Sequence, residues 1–218
     1  MAMVVAPEEQ HLLLTDEPWE TYTRLLRTFS ERRHLRISYD RGTLEIVTLS
    51  PERELLKHLV SRLIVAATEE LGLPIAGCGS LTLRRRKRRR GLEPDEAFWI
   101  QNESKVRNLP AYRPQRDIPP DLVVEMDVSH ASLDRLPIYA VLGVPEIWRV
   151  VQGAVRFLVR TGTDARDHDA GYSPVEESRA LPGVTTARVN ELLARRGLVE
   201  QNALVREFRE GLRRSIAN

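Results

Sequence analysis

A single cysteine, Cys78, stands among 218 residues. That scarcity excludes an intrachain disulfide framework and any zinc site built from several thiolates. The flanking Ile75-Ala76-Gly77 and Gly79 lead us to expect a buried core thiol. No apolar run approaches the length needed to cross a membrane. Residues 1–14 lack the charged start and long apolar middle of a signal peptide, so a cytoplasmic protein is expected. No internal repeat occurs. An excess of one charge is missing too: 33 Lys and Arg against 31 Asp and Glu leave a net charge of only +2. The protein is therefore not a globally basic polyanion binder, and positive charge matters only where it is concentrated. Hydrophobic content of 42% and charged content of 29% are those of a globular chain with a real core.

Secondary-structure signals alternate along the chain. Asp16-Glu17-Pro18 opens a short helix with Trp19, Tyr22, Leu25 and Leu26 as its stripe. Residues 35–39 alternate like a strand, Asp40-Arg41-Gly42 turns, and residues 44–49 return. Ser50 and Pro51 open a long helix that Gly72 closes. Its apolar stripe is Leu56, Leu59, Val60, Leu63, Ile64 and Ala67. Residues 74–83 and 92–101 read as two strands joined through a basic run, and residues 102–120 as a loop. A buried strand follows over 122–128, then a helix over 131–142 capped by Ser132 or Asp134, which leaves Pro137 in its first turn. A hairpin over 146–159 turns at Gln152-Gly153. Residues 161–186 read as irregular with one short strand, and helices end the chain. The order αββαββ, βαβ, αα predicts a mixed α/β core.

Three groups of residues suggest chemistry. Asp95 follows Pro94 at the start of one strand. Glu125 and Asp127 lie two apart on another, so their side chains share a face. If the strands are neighbours, three carboxylates converge, and such a cluster calls for a cation or a shared proton. Oxygen ligands favour Mg²⁺ or Mn²⁺ over zinc. The competing reading is three solvated acids at strand ends. Glu54, His58 and Arg62 recur at helical spacing on the polar side of the long helix; Glu54, one turn in, could be a fourth acid. The third group is Arg84, Arg85, Arg86, Lys87, Arg88, Arg89 and Arg90, an unbroken cationic run. On a hairpin it would make a rail for nucleic-acid phosphates; otherwise it is a solvated loop. His34, His130 and His168 are isolated and have no ligand spacing.

Longer strings carry a resemblance. Leu92-Glu93-Pro94-Asp95-Glu96-Ala97-Phe98-Trp99-Ile100, Pro119-Pro120-Asp121-Leu122-Val123-Val124-Glu125, Ser132-Leu133-Asp134-Arg135 and Ile138-Tyr139-Ala140-Val141-Leu142-Gly143-Val144-Pro145-Glu146-Ile147-Trp148 resemble, in order, the motifs of the Uma-two family, assigned to restriction endonucleases of the PD-(D/E)XK superfamily. The resemblance implies a restriction-endonuclease-like α/β core, a mixed β-sheet flanked by helices. We expect an N-terminal helical segment over 1–34, the nuclease-like core over 35–186 and C-terminal helices over 187–218. The implied activity is metal-dependent endonucleolytic hydrolysis of DNA phosphodiester bonds. Asp95 would be the PD aspartate and Glu125 the first acid of E-x-K, both holding Mg²⁺ (or Mn²⁺), with Glu54 the helix acid. A homodimer is expected, because two sites cut both strands of a duplex. The chain departs from the pattern twice. Asp127 stands where the E-x-K lysine is expected; a cation four residues before Tyr139, Arg135 here, would take its place. Ser38 stands where a glutamate is common. The alternative from another class is a catalytically silent nucleic-acid-binding protein that keeps the fold.

Overall fold

The computed structural model describes residues 10–32, 35–79, 81–114, 116–127, 133–162 and 171–217. In chain order the elements are β1 (His11–Leu14), α1 (Trp19–Thr28), β2 (Leu35–Asp40), β3 (Thr43–Thr48), α2 (Pro51–Leu71), β4 (Ala76–Gly77), β5 (Leu83–Arg85), β6 (Arg90–Leu92), β7 (Glu96–Trp99), α3 (Glu103–Val106), β8 (Leu122–Asp127), α4 (Leu136–Leu142), β9 (Glu146–Val151), β10 (Ala154–Arg160), β11 (Tyr172–Val175), α5 (Thr186–Ala194) and α6 (Gln201–Ala217). The expected helix start at Ala131 and Ser132, and His34, His130 and His168, lie outside the described residues.

The strands form two sheets, in the orders β1-β3-β2-β6-β5 and β11-β10-β9-β8-β7-β4. The larger is mixed: β8 and β9 run parallel, its other pairs antiparallel. Helices cover both its faces. Leu122, Val124 and Met126 of β8 pack against α2, α5 and α6 through Leu56, Leu63, Leu193 and Phe208. Val123, between them in sequence, faces the opposite way onto Ile138, Tyr139 and Leu142 of α4. This is the mixed α/β, restriction-endonuclease-like arrangement. The smaller sheet is antiparallel throughout, and α1 packs on it through Trp19 and Tyr22 against Ile37, Tyr39 and Leu44.

Local chemistry explains the elements that position the site. Ser50 Oγ accepts a hydrogen bond from Arg53 N at 3.2 Å, Pro51 occupies the first turn, and left-handed Gly72 ends α2. The β2–β3 turn needs positive φ at both central residues, supplied by Arg41 (48°) and Gly42 (113°). Asp121 does not join the acids of β8. It accepts from Ile100 N, Asn102 N and Asn102 Nδ2 at 2.8, 2.9 and 2.5 Å, and so ties the turn after β7 to the start of β8.

Four local expectations change. β1 is an added strand on β3. The two strands expected over 74–101 are each divided: β4 pairs with β7 in the mixed sheet, while β5 pairs with β6 in the other. α3 forms inside the expected loop. Cys78 is exposed, not buried, because it sits just beyond the two-residue β4 at the end of the sheet order. Among the described residues no helix is long and apolar enough to cross a membrane.

Glu146 anchors a later segment. It is 1% exposed, and its oxygens accept from Trp148 Nε1 at 2.8 Å, Ser178 Oγ at 2.7 Å and Ala180 N at 2.7 Å. Glu146→Ala strands these buried donors. A loss of roughly 2–4 kcal/mol is expected, read as a lower midpoint in urea unfolding. A midpoint unchanged within error would show that water replaces the carboxylate.

Candidate active site

Three buried carboxylates are linked through arginines between the two sheets, though among the described residues no three acids are grouped so as to hold a metal ion. Asp95 comes from the bend before β7 and Glu125 from β8; they are 0% and 5% exposed. Asp95 N donates to Val124 O at 3.2 Å, so the two strands hold these acids side by side. The third is Glu45 of β3, 0% exposed. Alternation in the smaller sheet puts it there. Ile37, Tyr39 and Leu44 face α1, so Arg36, Ser38 and Glu45 face the other way. Ser38 is the direct cross-strand partner of Glu45. An acid missing from position 38 is thus supplied from the adjacent strand, on the same face.

Each carboxylate is held by a guanidinium. Arg53, 1% exposed, clamps Asp95 with Nε to Oδ1 at 3.1 Å and Nη2 to Oδ2 at 2.8 Å. Met126 N also donates to Asp95 Oδ2 at 2.8 Å, and Arg36 Nε lies 4.0 Å from Oδ1. Arg135 donates from Nη1 to Glu125 Oε2 at 2.7 Å and from Nη2 to Glu45 Oε2 at 3.1 Å. Tyr139 OH donates to Glu125 Oε1. His11 Nδ1 lies 3.4 Å from Glu45 Oε1.

Burial pushes the Glu125 carboxyl above the ordinary range, and the Arg135 charge opposes that. Burial and the nearby Glu125 charge also push the Tyr139 hydroxyl well up. Burial alone would make Arg135 easier to deprotonate, but Glu125 and Glu45 more than reverse it, so it stays a cation. Beside these groups lies a cavity of about 30 Å³ lined by Glu125, Asp127, Arg135 and Tyr139, among others. That is room for a water molecule or one ion.

The remaining expected residues fall nearby or elsewhere. Asp127 shares the cavity and pairs with Arg149 at 2.6 Å. Glu54 does not line it. Glu54 pairs with Lys57 at 2.6 Å, with its side chain 44% exposed. The basic run forms a tight hairpin, β5 and β6 joined by a 3₁₀ turn over Arg86–Arg88. Arg86, Lys87, Arg88 and Arg89 are exposed, whereas Arg90 is tied to Asp40 at 2.8 Å. Lys87, Arg88 and Arg90, with Arg41, line an open cleft of about 760 Å³. Asp134 and Leu136 line both this cleft and the cavity.

Glu45, Arg36 and Arg53 are the residues that sequence reasoning did not single out. Arg53 carried a signal: it precedes Leu56 by three and Val60 by seven positions, so it falls on the apolar stripe of α2. Glu45 carried a weaker one, a charge between Leu44 and Ile46.

The family model described as "Putative restriction endonuclease" matches residues 19–190. The chain belongs to the Uma2 family. The match spans α1 through most of α5 and takes in every element that contributes to the carboxylate cluster except β1. None of the curated proteins matches the chain at a significant level.

Proposed function

We propose that this Uma2 protein is an endonuclease that hydrolyses phosphodiester bonds of DNA. The observation that carries this reading is the junction of two features at Asp134 and Leu136: a cationic open cleft and a buried carboxylate cluster. Cations along the cleft bind successive phosphates. The site where α4 begins then receives one phosphate at the acids.

Oxygen donors suit a hard divalent cation, but arginines occupy them here. Glu45 and Glu125 are buried oxygen donors that already share one cationic group, the Arg135 guanidinium. Among the described residues no three acids are grouped so as to hold a metal ion, so Mg²⁺ or Mn²⁺ would be held at Glu125 only after Asp95 or Glu45 gives up its guanidinium. When bound, such a cation supplies Lewis-acid polarisation of the phosphoryl oxygen and a more acidic water. The chain's own residues do the rest. Arg135, 12% exposed at the mouth, offers two N–H groups to the phosphate. It cannot act as a base, because it remains protonated. Asp127 is the less buried acid of the cavity, with 14% side-chain exposure, and would accept the proton from the attacking water. Two copies would cut the two strands of a duplex, and light scattering of the protein with and without DNA tests for the homodimer.

Incubation with supercoiled plasmid and Mn²⁺ should give nicked and then linear product, and chelation should stop it. A second reading is favoured by one observation: Asp95 and Glu125 are each already held by a guanidinium. In that reading the protein binds nucleic acid and cuts nothing. Full binding without product across Mg²⁺ and Mn²⁺ titrations would establish it.

Both readings need the hairpin. Arg86, Lys87, Arg88 and Arg89 changed together to Gln should weaken DNA binding on the order of a hundredfold at low salt. The log–log salt dependence should flatten by roughly 0.9 for each phosphate that the hairpin no longer neutralises. Unchanged affinity and slope would remove the hairpin from the interface.

A further inference from the structure

We infer that the cationic hairpin of β5 and β6 is a wedge that enters the major groove of duplex DNA, with the phosphates of one DNA strand in the cleft beside α4 and those of the other in a second groove beside α1. This rests on the endonuclease reading and names its substrate class: B-form duplex, not single strands or duplex RNA.

The two faces of the hairpin meet different neighbours. Leu83 and Leu92 oppose each other across the ribbon and pack with Ile138 and Tyr139 of α4. Arg84 and Gly91, one position along, are the next opposed pair, so they point to the other face. There α1 lies against them. A Cβ on Gly91 would fall 2.4 Å from Tyr22 OH, so glycine lets α1 pack this closely. The root of the hairpin is thus gripped from both sides, while Arg86, Lys87 and Arg88 of its turn are exposed.

Each face carries its own cations. A groove of about 390 Å³ lies between α1 and the hairpin, lined by Arg27, Arg84 and Arg86 with Trp19, Glu20 and Thr23. It shares no residue with the 760 Å³ cleft on the α4 side, whose cations are Arg41, Lys87, Arg88 and Arg90. Arg41 and Arg90 pair with Asp40. Among the described residues no ion pair holds Arg27, Arg84, Arg86, Lys87 or Arg88. Cations gathered in this way repel one another, and phosphate relieves the repulsion.

The dimensions suit a duplex. Stacked β layers lie about 10 Å apart, so a ribbon with its side chains is about that thick, and the major groove of B-DNA is about 12 Å wide. Inserted turn first, the hairpin meets a row of phosphates on each side. The deep, narrow major groove of A-form RNA excludes it. A single strand supplies one row and fills the larger cleft alone. The arrangement also selects the strand to be cut. The α4 cleft shares Asp134 and Leu136 with the cavity beside the carboxylates, whereas Glu20 is the only acid among the described residues that line the α1 groove.

The test is fluorescence anisotropy of the full chain, without divalent cations, on a labelled DNA duplex, one of its single strands and the RNA duplex of the same sequence. Wild type should prefer the DNA duplex to either by at least about tenfold. Arg27→Gln with Arg84→Gln should weaken duplex binding about tenfold and flatten its log–log salt slope by roughly 0.9 for each phosphate no longer neutralised. Single-strand binding should stay within about twofold of wild type, which also shows that the variant is folded. Arg27→Gln alone, on the exposed side of α1, should show the same selectivity with a smaller loss. Duplex binding unchanged in both variants overturns the inference. An equal loss on duplex and single strand in both variants overturns it too, because the grooves would then form one track for one strand. Equal affinity of wild type for the RNA and DNA duplexes does the same. Plasmid nicking by a protein that fails these tests refutes the wedge alone. The full binding pattern with no product in Mg²⁺ or Mn²⁺ refutes the endonuclease reading alone.

Discussion

Asp95→Ala should destabilise the fold strongly rather than simply disarm it. The substitution leaves Arg53 charged, 1% exposed and stripped of its bidentate partner. Breaking a buried pair from one side costs about 3–5 kcal/mol. In a chain of this size that corresponds to a fall in Tm on the order of 10 °C. Asp95→Asn, which preserves the shape and one of the two acceptor oxygens, should cost less. The double substitution Arg53→Met with Asp95→Leu should recover part of the loss, because it removes both charges from the core. Thermal and urea unfolding of these proteins decide the matter. A Tm within error of wild type for Asp95→Ala would show that the clamp carries no stability. The practical consequence is that loss of cleavage in Asp95→Ala cannot by itself assign Asp95 to catalysis.

Glu125→Gln separates chemistry from folding. The side chain keeps its volume, and burial already drives its carboxyl toward the neutral form. The cost in stability should therefore be modest, about 1–2 kcal/mol from weakened pairing with Arg135. Cleavage of plasmid DNA should fall about a thousandfold, equal to roughly 4 kcal/mol of transition-state stabilisation. DNA binding through the hairpin should be retained, because the exposed cations of Arg86, Lys87, Arg88 and Arg89 are independent of the acid. Wild-type cleavage rates in a stable Glu125→Gln protein would remove the carboxylate cluster from the reaction.

Much of this architecture is written in local patterns. The stripe from Leu56 to Ala67, bracketed by Ser50, Pro51 and Gly72, specifies α2 before any tertiary packing exists. The alternation of residues 35–39 about the Asp40-Arg41-Gly42 turn specifies the β2–β3 hairpin and its register. In β8, the spacing of Glu125 and Asp127 places both acids on the α4 face, since Val124 and Met126 pack on the other. These signals are periodic and short-range, so sequence alone carries them. The motif strings around Asp95, Glu125 and Tyr139 carry the family in the same way.

Other features depend on packing between distant residues. The run from Ala76 to Trp99 supplies strands to two different sheets, and no periodicity in it marks where the chain crosses over. The face of the smaller sheet that carries Arg36, Ser38 and Glu45 reads locally as a wet, polar face of a hairpin. It becomes an interior because the mixed sheet and Arg135 close over it. Glu54, with its position near the start of α2, looks locally equivalent to Arg53, yet helical rotation buries Arg53 on Asp95 and turns Glu54 toward Lys57. By itself, then, the sequence determined the α/β class, the family and the concentration of cations in one short run. Tertiary structure alone decided which acids share a cation, because sheet packing, not spacing along the chain, brings Glu45 of β3 and Arg135 of the α4 start to Glu125.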